Sequence, residues 1–188
     1  MRGIVLYGPP ASGKSTITAV LSRLDPRFTL VRKLKAGNQR GTEYDFVTVE
    51  ELARLRAAGR LLLETRRYGN TYAIDRHQID ELVSSGRVPI VHLGTIADIR
   101  RLTEATAWLA VLLWVPRAVC EERSRQRLDI DTPHRLAAWD EAFADLHTHG
   151  EITFHHRHRT DLIAPEEIAR QIAGAYHGRE VAPMDQRA

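Results

Sequence analysis

Cysteine, lysine and long apolar runs are all scarce in this chain. One cysteine, Cys120, stands among 188 residues, so an internal disulfide is excluded and nothing points to an oxidising compartment. It falls in an expected helix beside Val119 and reads as a small core residue. The longest apolar run, Trp108 to Val115, is far too short to span a bilayer. Met1-Arg2-Gly3 leads straight into an apolar stretch without a signal-peptide pattern. A cytoplasmic protein with no membrane association is expected. The charge surplus is also small, +3 with a pI near 9.3, which suits a polyphosphate ligand as well as a nucleic acid and decides little; no nucleic-acid partner is expected. Only Lys14, Lys33 and Lys35 are lysines, the other cations being arginine.

Against these absences stands Gly8-Pro9-Pro10-Ala11-Ser12-Gly13-Lys14-Ser15-Thr16. It fits the phosphate-binding pattern G-x-x-x-x-G-K-[ST] at every required position. With average residue frequencies the four fixed positions coincide at roughly 3 in 100,000 sites, so chance is a poor account. The context agrees. Ile4 to Tyr7 reads as a buried strand before the loop, and Ile17, Val20, Leu21 and Leu24 recur at helical spacing after it. The glycines let successive N–H groups turn inward toward phosphate oxygens, and the helix adds its positive end. Gly8, Ala11, Ser12, Gly13, Lys14, Ser15 and Thr16 are therefore expected to hold ATP, with Lys14 on the β/γ phosphates and the Ser15 hydroxyl on Mg2+.

The rest of the chain alternates strands and helices. Strands are expected at Phe28–Val31, Leu61–Thr65, Val88–Leu93, Trp108–Val115 and Ile152–Phe154. Helices follow Thr48, Asp75, Thr95, Pro116, Thr132 and Pro165, several with capping residues in place. Arg32 to Gly41 reads as a polar loop with four cations. This order implies an α/β fold in three layers, a mainly parallel central sheet covered on both faces, with the phosphate loop at the carboxyl end of its first strand. A single domain over 1–178 is expected, with a disordered tail over 179–188.

Phosphate loops serve GTPases, large ATPases and small kinases. D-x-x-G and N-K-x-D are both missing, which excludes the GTPase reading, and neither long apolar strand ends in an acidic pair. A small kinase remains. Glu43-Tyr44-Asp45-Phe46-Val47-Thr48-Val49-Glu50-Glu51-Leu52, Ala58-Gly59-Arg60-Leu61-Leu62-Leu63-Glu64 and Tyr68-Gly69-Asn70-Thr71-Tyr72 resemble the guanylate kinase patterns D-Y-x-F-V-[ST]-x-x-x-F, G-x-[FL]-[LI]-E and [FY]-G-N-x-Y-G. The resemblance is at residue level over about Tyr44 to Tyr72 and the phosphate loop, and in element order elsewhere.

The resemblance implies a P-loop kinase with an acceptor-binding insert over about 28–85 and an arginine-bearing lid over about 117–135. It matches Tyr44 and Tyr72 to tyrosines that bond the acceptor's phosphate, and Glu64 to an acidic residue that reads a purine edge. Arg32, Lys33, Lys35 and Arg40 stand in for a longer arginine-bearing stretch. Arg123 and Arg127, at i and i+4, share a helix face. With Arg135 and Lys14 they are expected to spread the charge of a transferring phosphoryl group. Arg157, in a His/Arg-rich turn, is a candidate for stacking on the adenine. The acidic pair that ends the next family strand falls here on His92 and Gly94. The implied reaction is γ-phosphoryl transfer from ATP to a nucleoside monophosphate, by a monomer or homodimer. The alternatives are a kinase of the same fold acting on a sugar phosphate or natural-product intermediate, and a non-catalytic binding module.

Overall fold

The computed structural model describes residues 2–126, 132–149 and 152–180. In chain order the elements are β1 (Ile4–Tyr7), α1 (Lys14–Leu24), β2 (Phe28–Leu30), β3 (Lys33–Ala36), β4 (Tyr44–Phe46), α2 (Val49–Ala57), β5 (Leu61–Arg67), β6 (Asn70–Asp75), α3 (Arg76–Ser84), β7 (Val88–Leu93), α4 (Ile96–Ala105), β8 (Leu109–Trp114), α5 (Arg117–Gln126), α6 (Thr132–Thr148), β9 (His156–Arg159) and α7 (Pro165–Glu180).

Five strands form a parallel sheet in the order β2-β7-β1-β8-β9. Its inner strands are buried on both faces, which is why β8 reads as an unbroken apolar run and β7 as a run broken by His92. On one face Ile4, Leu6, Ile90 and Val111 pack with Ile17 and Leu21 of α1 and Ile168 and Ile172 of α7. On the other, Val5, Tyr7 and Val91 pack with Ile79 of α3, Ile96 and Ile99 of α4, and Phe154. The three-layer α/β architecture is as the alternation implied.

The edge strand β9 falls on His156–Arg159 rather than on the apolar Ile152–Phe154. An edge strand needs only one covered face; here His158 is buried while Arg157 and Arg159 are exposed. Phe154 instead stacks on Tyr7, centroids 5.7 Å apart. Helix α7 continues through Glu180, so the expected tail begins inside it; the remainder of that tail lies outside the described residues.

A second, mixed sheet has the order β4-β3-β6-β5. Its β3 was expected as loop. Lys33-Leu34-Lys35-Ala36 alternates instead of running apolar: Leu34 and Ala36 join Leu52 of α2 and Ala73 of β6 in a small core, and the lysines face the other way. Thr48 caps α2, its hydroxyl accepting from Glu51 N at 3.1 Å. This sheet stands over the carboxyl end of the parallel sheet and closes a cleft between the two.

Candidate active site

The phosphate loop is shaped by close backbone approach. A Cβ on Gly8 would stand 2.0 Å from Leu113 O of β8, so only glycine lets the chain leave β1 there. Gly13, with φ +86, precedes α1. Lys14 folds back over the loop, its ammonium donating to Gly8 O at 2.7 Å and Pro9 O at 2.9 Å. Burial, then the nearby charge of Lys33, holds its pKa down to about 8. Cys120 is a core residue, as expected, and its thiol lies 3.3 Å from Pro10 O beneath the loop.

A cleft of about 250 Å3 runs from Gly8 and Lys14 to the second sheet. Lys33, Tyr44 and Tyr72 line it. The Tyr44 and Tyr72 rings are 5.4 Å apart. Lys33 Nζ stands 5.9 and 5.5 Å from their centroids, and Lys35 Nζ 5.0 and 5.7 Å. Of the two, Lys33 lines the cleft and Lys35 does not: its ammonium donates to Asn38 Oδ1 and Arg40 O, both at 2.7 Å. Lys33 donates to His92 O at 2.9 Å, and burial brings its pKa down to about 8. Burial raises the Tyr44 phenol to about 12, so it remains a donor.

Three further expected acceptor residues are placed elsewhere. Arg32 is exposed and clamps the segment before β4, bonding Asp45 Oδ1 at 2.6 Å, Thr42 O at 2.9 Å and Tyr44 O at 2.6 Å. It positions Tyr44 and does not line the cleft. Arg40 is exposed as well, and contributes its carbonyl to Lys35 at 2.7 Å. Glu64 faces α2, where Arg56 bonds it at 2.8 and 2.7 Å. The reason is the strand's period of two: Leu63 and Thr65 line the cleft, while Glu64 between them is sent to the opposite face of β5. Counted from Gly59, the pattern G-x-[FL]-[LI]-E reaches its fifth position at Leu63. The expectation for Glu64 was one residue out, and the cleft position is apolar.

Residues not singled out from the sequence complete the site. Glu43 lies where the two halves meet. It accepts from the Ser15 hydroxyl and lies 3.4 Å from His92 Nδ1. These contacts, His92 foremost, bring its carboxyl down to about 2. His92 Nε2 is 2.8 Å from the Thr18 hydroxyl, and burial lowers the pKa of the imidazole. Thr65, Arg67 and Asp98 line the far end. The alternation of β5 and the T-x-x-D pattern at Thr95–Asp98 were the signals that could have found them.

Arg123 does not reach the acceptor side. It bonds Ala11 O at 3.0 Å and Thr160 O at 2.8 Å, bracing the loop against the β9–α7 turn. There it lines a second cavity of about 240 Å3 with Gly13, Thr16, Thr160 and Pro165, beside the start of α1. Arg135 of α6 acts on the charge of Lys14. Arg127 lies outside the described residues. Arg157 is not in the second cavity; its guanidinium stacks on Phe154 at 5.2 Å, because β9 turns that side chain outward.

Comparison with known proteins agrees with this arrangement. The family model described as guanylate kinase matches residues 1–139. The guanylate kinase of Ralstonia nicotianae is 36% identical over 87 residues, 44% of this chain and 39% of that protein. That of Symbiobacterium thermophilum is 35% identical over 98 residues, 50% and 46% of the two. The chain thus spans less than half the length of these curated relatives. Among solved structures, guanylate kinase from Anaplasma phagocytophilum superposes with a TM-score of 0.64 at 16% identity, covering 96% of this chain and 87% of that one. Shikimate kinase from Acinetobacter baumannii in complex with shikimate gives 0.51 at 15% identity, covering 96% and 95%; at such identities the likeness is one of fold. Because the family match takes in the phosphate loop, the whole second sheet and α4 together, the chain belongs to the guanylate kinase family.

Proposed function

We propose that this protein transfers the γ-phosphoryl group of ATP to the phosphate of a nucleoside monophosphate. The observation that carries this is the continuity of the cleft: one cavity joins the phosphate loop at Gly8 and Lys14 to the Lys33–Tyr44–Tyr72 cluster. Two anion sites facing each other across one space are what transfer between two phosphates requires. The adenine would occupy the second cavity, between Arg123, Thr160 and Pro165.

The residues at Ser15 fit Mg2+. A serine hydroxyl and the Glu43 carboxylate are hard oxygen donors in contact, and phosphate oxygens and water would complete such a set. When bound, the cation would neutralise charge on the β and γ phosphates. Lys14 leaves its loop carbonyls for the phosphates, and with Arg135 stabilises the charge spread over the transferring group. Lys33, Tyr44 and Tyr72 hold the acceptor's phosphate in line. That phosphate is already anionic, so no side chain need remove a proton before attack.

The test is ADP formation by the purified chain with Mg·ATP and a panel of nucleoside monophosphates. Turnover with one of them is expected, as is loss of Mg·ATP binding in Lys14→Ala, read by calorimetry. Unaltered ATP binding in that variant, or ADP release indifferent to every acceptor, would overturn the reading.

A further inference from the structure

The carboxylate expected at the far end of the cleft is not there: Glu64 faces α2, and β7 runs out into Gly94, where the family pattern is acidic. A carboxylate arrives from another element. Asp98 lies in the first turn of α4, is 5% exposed and lines the cleft. Its backbone N–H donates to Thr95 Oγ1 at 3.2 Å, so the helix cap sets its position. In a capping box the acidic side chain turns back to the amide of the capping residue. Asp98 reaches across instead: Oδ2 accepts from the Thr65 hydroxyl of β5 at 2.6 Å. Oδ1 lies 4.0 Å from Arg101 Nη1, an ion-pair distance rather than a hydrogen bond. A carboxylate can take about four donors, so this one keeps capacity for donors of a ligand in the cleft that it lines.

Arg67 lines the same cleft. A Cβ at position 94 would lie 2.8 Å from Arg67 Nη1, so the space freed by glycine is the space this guanidinium fills. Nη1 donates to Gly94 O at 3.0 Å, and Nη2 to Glu141 of α6. Asp98 raises and Arg67 lowers the pKa of Lys33, so both act on the acceptor side.

We propose that Asp98, oriented by Thr65 and sharing the cleft with Arg67, recognises the part of the acceptor remote from its phosphate, and selects a head group that presents two adjacent hydrogen-bond donors. This rests on the reading of the Lys33–Tyr44–Tyr72 cluster as the acceptor's phosphate site. Two common chemistries carry such a pair: the amide–amine edge of a guanine, whose keto oxygen would accept from Arg67, and a sugar cis-diol. The apolar walls at Leu63, Ile74 and Leu93 would cover either.

Direct binding separates this from turnover. Calorimetry on the full chain uses GMP against IMP, which lacks the 2-amino group, and ribose 5-phosphate against 2-deoxyribose 5-phosphate, which lacks one hydroxyl. The donor-rich member of one pair should bind more tightly. Asp98→Asn, which can still accept from Thr65, should weaken that probe roughly ten- to hundredfold and erase the preference, with Mg·ATP affinity unchanged. Preference for GMP identifies a base, and preference for ribose 5-phosphate a diol. Arg67→Gln, at a partly exposed site, serves as a second variant and should weaken the same probe several-fold. Equal binding of both members of each pair, no binding of any, or wild-type affinity in both variants would overturn the proposal. Failure of the kinase reading is distinct, since it would show as loss of Mg·ATP binding or of ADP formation with these contacts intact.

Discussion

Lys33 carries a pH signature on the second-sheet side of the cleft. Its folded pKa, about 8, lies below the ordinary lysine value because burial penalises the charged form. The sign follows. Between about pH 8 and 10.5 the unfolded chain holds more protons at this site, so the contribution of Lys33 to the stability of the ligand-free protein rises with pH across that window. An anion needs the charged form, so acceptor binding should weaken as pH climbs through 8. Lys33→Arg keeps its charge throughout. Acceptor affinity titrated from pH 7 to 9.5 should fall in the wild type and stay flat in the variant; parallel curves would show that another group sets the alkaline limb. Glu64 teaches the opposite lesson at this scale. Its type was right for reading a base, but a strand sends neighbours to opposite faces, and one residue's error in register moved the carboxylate out of the site.

Among the elements, α4 links local capping to recognition. Thr48 and Thr95 cap α2 and α4 in the same way, each hydroxyl accepting from the amide three residues on. Replacing either by alanine should cost about 1 kcal/mol of stability, seen as a similar drop in denaturation midpoint. Only Thr95→Ala should also raise the acceptor's KM, because only that cap positions Asp98. A rise of equal size in Thr48→Ala would mean that general loosening is responsible. The parallel sheet, its helices and the phosphate loop were legible in the sequence because buried strands and a glycine-lysine motif each have a strong local signature. β3 was not, since a strand with lysines on one face looks like a charged loop until the sheet that receives Leu34 and Ala36 is known. Arg32 and Arg123 were legible as cations but not as clamps. Which carbonyls they hold depends on how distant segments meet.

For the whole molecule the division of labour is between two sheets. The parallel one presents the phosphate loop, and the mixed one presents Lys33, Tyr44 and Tyr72. The family match covers both, so the likeness concerns a paired site rather than a phosphate loop alone. Two departures from the family patterns, Leu63 and Gly94, lie at the far end of the cleft together with Asp98. Family membership therefore speaks more directly to the reaction than to the acceptor's identity.

The bond between Ser15 and Glu43 has a thermodynamic consequence. It ties the first turn of α1 to the residue before Tyr44, so the group that would meet the donor's cation and a group proposed to hold the acceptor's phosphate belong to one chain of contacts. A cation that draws on Ser15 must alter that tie, and the two ligands then cease to bind independently. Reciprocity requires that the factor by which Mg·ATP changes acceptor affinity equal the factor by which acceptor changes ATP affinity. Titrating each ligand in the absence and presence of the other should return one shared factor different from one. Glu43→Ala should bring it to unity, and a factor that survives this change would place the communication elsewhere. Seen this way, Glu43 lets each half of the cleft register whether the other is filled.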